Sequence, residues 1–163
     1  MIALENVSKS YGEHRAVDGI SFSARPGQIF GLLGPNGAGK TTAIRILMNI
    51  LLPDSGRVIL FDRTMEESDN GRIGYLPEER GLYKKVKVKE MLTYLADLKG
   101  APRDESGPRI EEWLERFQLS EWADKPIESL SKGMAQKVQF IGTVAHDPDL
   151  LFFDEPFSGL DPV

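Results

Sequence analysis

The chain has 163 residues, 40% of them hydrophobic, and its 25 acidic residues outnumber 20 Lys and Arg for a net charge of −5. That is about one domain by length, with enough chain to bury a core, and the acidic balance argues against a protein held mainly on nucleic acid or an anionic membrane. Cysteine is absent, which excludes disulfide scaffolds, thiol nucleophiles and Cys-based metal sites.

His14 and His146 have no ligand-like spacing. No apolar run approaches the roughly 18 residues of a membrane span. The start, MIALENVSKSY, has no apolar h-region, so no signal peptide is expected and the cytosol is the simplest address.

In chain order, residues 2–7, 14–23 and 28–33 alternate or run apolar and predict strands, separated by turn signals at Tyr11-Gly12 and Pro26-Gly27. IFGLLG at 29–34 is continuously apolar, the pattern of a strand buried on both faces. A Gly-rich turn follows at 34–39. A helix is expected over 40–52, with Ile44, Leu47, Ile50 and Leu51 on one face and Pro53 as its stop. Short strands are expected at 57–61 and 72–76, flanking a polar stretch at 62–71. Helical periodicity then marks 88–98, ended by Lys99-Gly100, and 109–119, with Ile110, Trp113, Leu114 and Phe117. A last helix over 132–146 carries Met134, Val138, Ile141 and Ala145, and precedes a hydrophobic strand at 149–153. A β-rich part, a helical insertion and a return to strand describe an α/β domain.

GPNGAGKTT at 34–42 satisfies G-x-x-x-x-G-K-[ST] through Gly34, Gly39, Lys40 and Thr41, in the context the motif requires, after an expected buried strand and at a helix start. Glycines let the backbone close on a phosphate, and the successive N–H groups of roughly 37–42 point at an anion at the helix N-terminus. Lys40 supplies a point charge to the β- and γ-phosphates, and Thr41 a hydroxyl to Mg²⁺. LLFFDEP at 150–156 is the complement: Asp154 is the candidate to hold Mg²⁺, and Glu155 to polarise the attacking water. An acidic pair after four apolar residues needs a cation or donors.

These motifs, with the helical stretch between them, LSKGMAQKV at 130–138 and SGLD at 158–161, resemble the ATP-binding subunit of ABC transporters over essentially the whole chain. The resemblance implies an α/β P-loop NTPase core of ABC type, with an N-terminal antiparallel β part and an inserted helical subdomain. Within one nucleotide-binding domain at 1–163, it places the phosphate-loop core at 1–78 and the helical subdomain at about 79–131. The signature helix, acidic strand and D-loop fall at 132–163. The implied nucleotide-binding set is Tyr11, as the aromatic stacked on adenine, with Gly34, Asn36, Gly37, Ala38, Gly39, Lys40, Thr41 and Thr42. Ser131 and Gly133 match signature residues that touch ATP bound on the opposite subunit. Ser131 taken alone is also an ordinary helix N-cap. Thr41, Asp154 and Glu78 form the implied metal set, and Glu155 and Lys40 the catalytic one.

Three departures from the family pattern stand out. The signature reads LSKGM, with Lys132 and Met134 at positions the family fills with Gly and Gln. The segment often written GYLPQ is GYLPE at 74–78; Glu78 can ligate Mg²⁺ but cannot donate a hydrogen bond while ionised. The switch His expected about thirty residues beyond the acidic strand, and the last core strands, are not in the sequence, which reads as truncated after the D-loop.

GYLPEERGLY is similar to the segment in sodium- or drug-exporter-type subunits. The resemblance therefore implies a MgATP-hydrolysing subunit that pairs with a second copy, or with another nucleotide-binding subunit. It would drive a transmembrane permease from the inner face of the cell membrane. The alternatives are a non-transport ABC ATPase acting on ribosomes or DNA, and an inactive fragment. The net charge and the short helical insertion speak against the first, so no nucleic-acid partner is expected. Weak or absent hydrolysis by this chain alone is expected from the missing His.

Overall fold

Alternating residues at the start of the chain fold back as a hairpin of β1 (Ile2–Tyr11) and β2 (His14–Ala24). The two-residue turn has Gly12 at φ 60°, the left-handed value that such turns require of their first central residue. A third strand, β3 (Ser55–Leu60), joins the free side of β1, giving an antiparallel sheet in the order β2-β1-β3. In a computed structural model, residues 1–64, 66–78 and 81–155 are described, and the chain divides into two units, Met1–Asp69 and Asn70–Val163.

In the first unit, helix α1 (Lys40–Leu47) packs on β2 and β3 and buries Ala43, Ile44, Ile46 and Leu47. Each fully buried aliphatic side chain contributes about 1.5–3 kcal/mol. Asp54 ties β1 to the start of β3: its carboxylate accepts from Lys9 Nζ at 2.8 Å and the Ser10 amide at 2.7 Å. Asp69 is 1% exposed and meets Arg63 through two 2.9 Å bonds, the bidentate geometry that makes a buried carboxylate tolerable.

Two expectations for this unit are corrected. The helix expected over 40–52 ends at Leu47, because Asn49 takes φ 56°. The Asn49 amide bonds Ile46 O and the Ile50 amide bonds Arg45 O, which closes the helix in a Schellman motif and leaves Ile50 exposed. The strand expected at 28–33 and buried on both faces is not one: Ile29 and Leu33 are exposed, and Phe30 stacks on Phe22 at 4.9 Å. Apolar sequence makes a strand only where a neighbour accepts its backbone hydrogen bonds, and no described strand pairs with this run.

The second unit is built on β4 (Ile73–Leu76) and β5 (Leu150–Phe153), paired in parallel, and on three helices: α2 (Val88–Leu98), α3 (Arg103–Arg116) and α4 (Lys132–Val144). The helices share one core in which Val88, Met91, Leu92, Ile110, Leu114, Val138 and Ile141 are nearly inaccessible to water. Helix α2 has no side-chain cap; its first amides bond the carbonyls of Lys125 and Ala123 instead. Helix α3 begins six residues earlier than its sequence predicts, and runs through Pro108. The reason is packing: Ser106, Ile110 and Leu114, four apart, are all buried and extend the inward stripe past the proline. It ends before the expected residue 119 because Gln118, at φ 59°, closes a second Schellman motif, with the Leu119 amide on Leu114 O at 2.7 Å.

Candidate phosphate, metal and signature sites

The phosphate loop lies between Phe30 and α1. Gly37 and Gly39 have φ of 80° and 83°, in the left-handed region that suits glycine. Gly39 is also the N-cap of α1, and a Cβ there would lie 2.1 Å from the carbonyl oxygen of Ala16 on β2. The loop therefore presses its last glycine against the sheet, and only glycine fits. Lys40 folds its ammonium back over the loop, donating to Gly34 O at 2.9 Å and Pro35 O at 3.2 Å. The Ala38 amide closes a turn onto Pro35 O at 3.1 Å. Residues 34–38 are exposed, Gly39 to Thr42 half-buried, and Tyr11 stands 49% exposed at the end of β1 in the same unit.

In the other unit, Asp154 follows β5 and is 3% exposed. Its amide donates to Leu76 O at 2.9 Å, continuing the β4–β5 ladder one residue beyond the strand. Its Oδ2 accepts from the Tyr75 hydroxyl at 3.3 Å. Glu155 is exposed and has φ 51°, an uncommon conformation for a non-glycine residue, so the acidic pair turns sharply out of the strand. Glu78 is exposed just past β4.

Ser131 caps α4, its Oγ accepting from the Met134 amide at 3.3 Å. Ser131, Lys132 and Gly133 are exposed, and a Cβ at Gly133 would meet open space. SGLD at 158–161 lies outside the described residues. The structure thus groups Gly34 to Thr42 with Tyr11 in one unit, and Glu78, Ser131, Gly133, Asp154 and Glu155 in the other.

A polar seam that sequence reasoning missed fixes α4 on β4. Gln139 Nε2 donates to Pro77 O at 3.3 Å, Thr143 Oγ1 lies 3.3 Å from Tyr75 O, and His146 Nε2 lies 3.1 Å from Ile73 O. Spacings of four and three residues along α4 and just past its end meet carbonyls two residues apart along β4 and just past its end. A carbonyl only accepts, so His146 Nε2 carries hydrogen; its Nδ1 is buried without a partner among the described residues. Burial pushes the His146 pKa down, Ile73 O pulls it back in part, and Lys99 and Arg109 lower it further. Gly74 permits the close approach, since a Cβ there would lie 2.4 Å from Thr143 O. Nothing in the one-dimensional pattern marked this seam, because the polar positions on α4 matter only once β4 is known to lie beneath them.

The donor chemistry fits a hard cation. Within the second unit, the buried carboxylate of Asp154 and the exposed one of Glu78 are oxygen donors, the kind Mg²⁺ prefers alongside phosphate oxygens. Among the described residues no three His, Cys, Asp or Glu cluster as a self-sufficient metal cage, and no helix is long and apolar enough to cross a membrane.

The family profile described as ABC transporter matches residues 17–158. Over 163 residues the chain is 48% identical to the uncharacterized ABC transporter ATP-binding protein YhaQ of Bacillus subtilis, covering 100% of this chain and 55% of that one. It is 39% identical to the Nod factor export ATP-binding protein I of Ralstonia nicotianae, over 99% of this chain and 51% of that one. Among solved structures, an ATP-binding subunit of an ABC transporter superposes with a TM-score of 0.88 at 28% identity, covering 99% of this chain and 69% of its own. The chain spans about half the length of these curated relatives.

Proposed function

The chain belongs to the ABC transporter family, and on that premise we propose that it is the part of an exporter's ATP-binding subunit that holds MgATP. The family binds nucleotide, typically with Mg²⁺, and its ATP-binding subunits dimerise and work with transmembrane components. The observation that carries the reading is the loop at 34–42. Gly37 and Gly39 sit at left-handed φ, the last of them is pressed onto β2, and Lys40 already lies over the loop carbonyls. Backbone amides at the start of α1 then face an anion with the helix dipole behind them.

In this reading Lys40 exchanges its contacts with Gly34 O and Pro35 O for phosphate oxygens. The loop amides from Gly37 to Thr42, with Gly34 and Asn36, cradle the same group, and Tyr11 offers its ring to the base. Thr41, Asp154 and Glu78 would hold Mg²⁺, which would supply positive charge against that developing on the phosphates. Glu155, turned out of β5, orients and polarises the attacking water. Ser131 and Gly133, at the exposed N-terminus of α4, offer a second anion site to ATP held by a facing copy or paired subunit. ATP-driven dimerisation follows, because nucleotide bound by two chains favours the closed pair. Export is the direction we assign, supported by the Nod factor export relative and the GYLPE segment; the partner is a permease, at the inner face of the membrane.

The test is phosphate release by the wild-type chain and by Glu155→Gln, under single-turnover conditions with enzyme in excess so that the weak hydrolysis expected of this chain alone is resolved. A general base typically contributes about 10²–10⁴-fold to rate. The reading expects release to fall at least about 100-fold with ATP binding retained; an unchanged rate contradicts the role given to Glu155.

A further inference from the structure

Strands β4 and β5 run parallel with Tyr75 opposite Phe152. Residues two apart on a strand share a face, so Asp154 lies on the Tyr75 face, one diagonal step along. A diagonal neighbour is within reach of a long aromatic side chain. The Tyr75 hydroxyl spans that gap and meets Asp154 Oδ2 at 3.3 Å.

Both ends of Tyr75 are fixed. Its backbone is held in the ladder, its carbonyl lies 3.3 Å from Thr143 Oγ1 of α4, and its phenol reaches the carboxylate. Asp154 is held twice from the same strand, by Leu76 O on its amide and by Tyr75 on its side chain. A carboxylate only 3% exposed takes its orientation from such donors.

We propose that Tyr75 is a positioning residue for the metal-side carboxylate, its hydroxyl fixing the plane in which Asp154 meets Mg²⁺. This rests on the MgATP reading above. Partners of this kind typically contribute about 10–100-fold to metal affinity. A neutral phenol at this distance belongs at the lower end, near tenfold.

The experiment titrates Mn²⁺, as a paramagnetic substitute for Mg²⁺, into the full 163-residue chain carrying stoichiometric ATP. Bound metal is read by electron paramagnetic resonance for the wild type, Tyr75→Phe, Asp154→Asn and the double variant. Metal-free ATP affinity is measured separately in chelator.

Tyr75→Phe is expected to weaken Mn²⁺ about tenfold and leave metal-free ATP affinity unchanged. It should add nothing further in the Asp154→Asn background. A purely structural tyrosine would lower unfolding stability without this metal-specific loss, and its effect would add to that of Asp154→Asn. Equal Mn²⁺ affinity in wild type and Tyr75→Phe, or full additivity, overturns the proposal. Loss in Asp154→Asn but not in Tyr75→Phe overturns it while leaving the MgATP reading standing. A wild-type chain that takes up no Mn²⁺ with ATP contradicts both.

Discussion

Replacing Gly39 with alanine tests whether the phosphate loop is shaped by its contact with β2 or only by glycine's conformational freedom. Gly37 and Gly39 have nearly the same φ, 80° and 83°. The left-handed penalty, about 1–2 kcal/mol for an L-residue, therefore applies equally to Gly37→Ala and Gly39→Ala. The surroundings differ. A Cβ at Gly37 meets nothing within 4 Å, whereas one at Gly39 falls 2.1 Å from Ala16 O and 3.2 Å from a Val17 methyl. A backbone oxygen on a paired strand cannot rotate away, so the start of α1 must lift off the sheet. Overpacking of this kind typically costs about 1–3 kcal/mol. Gly39→Ala should thus be less stable than Gly37→Ala by about 2 kcal/mol. The assay is urea unfolding followed by far-ultraviolet circular dichroism, because Trp113 and Trp122 are both in the other unit. Equal midpoints for the two variants would refute the argument that contact with Ala16 dictates glycine.

Two further outcomes follow from buried polar atoms in the helical unit. The Ser106 hydroxyl is buried without a partner among the described residues, so Ser106→Ala should raise stability by about 1 kcal/mol; a lower urea midpoint by tryptophan fluorescence contradicts this. The pKa of His146 is lowered by burial from its usual 6.5. The unfolded chain therefore binds more protons than the folded one between the two values. This contribution is fully present above pH 6.5 and is lost as pH falls through the folded value. The tryptophan-detected midpoint should fall on acidification below pH 6.5, and His146→Gln should reduce that dependence. An unreduced slope in the variant would assign the effect elsewhere.

Elements with strong local signals were legible in the sequence. Helix α2 follows its apolar spacing from Val88 to Leu98 and stops where Lys99-Gly100 announces it, because glycine at φ 76° is a stop that composition reveals. Asn49 and Gln118 make the same turn with side chains that do not advertise it, so α1 and α3 end earlier than periodicity implies. Pro108 hid the start of α3, since the buried stripe through Ser106 outweighs a lost hydrogen bond.

The site divides in the same way. The loop residues are adjacent in sequence, so their chemistry was readable as a motif. Tyr75 and the Gln139–Thr143–His146 seam depend on strand register and on which helix overlies β4. The run at 29–33 is the opposite case, apolar enough for an inner strand but without a described partner strand to make it one.

The central claim is that residues 34–42 hold the phosphates of ATP, and calorimetric titration of ATP with Mg²⁺ into the wild type and Lys40→Ala tests it most directly. Hydrogen bonds from a charged donor contribute about 1.5–3 kcal/mol, or roughly 10–100-fold in affinity. The account predicts saturable binding by the wild type and a loss of that size in Lys40→Ala. Equal affinity in the two chains would contradict it.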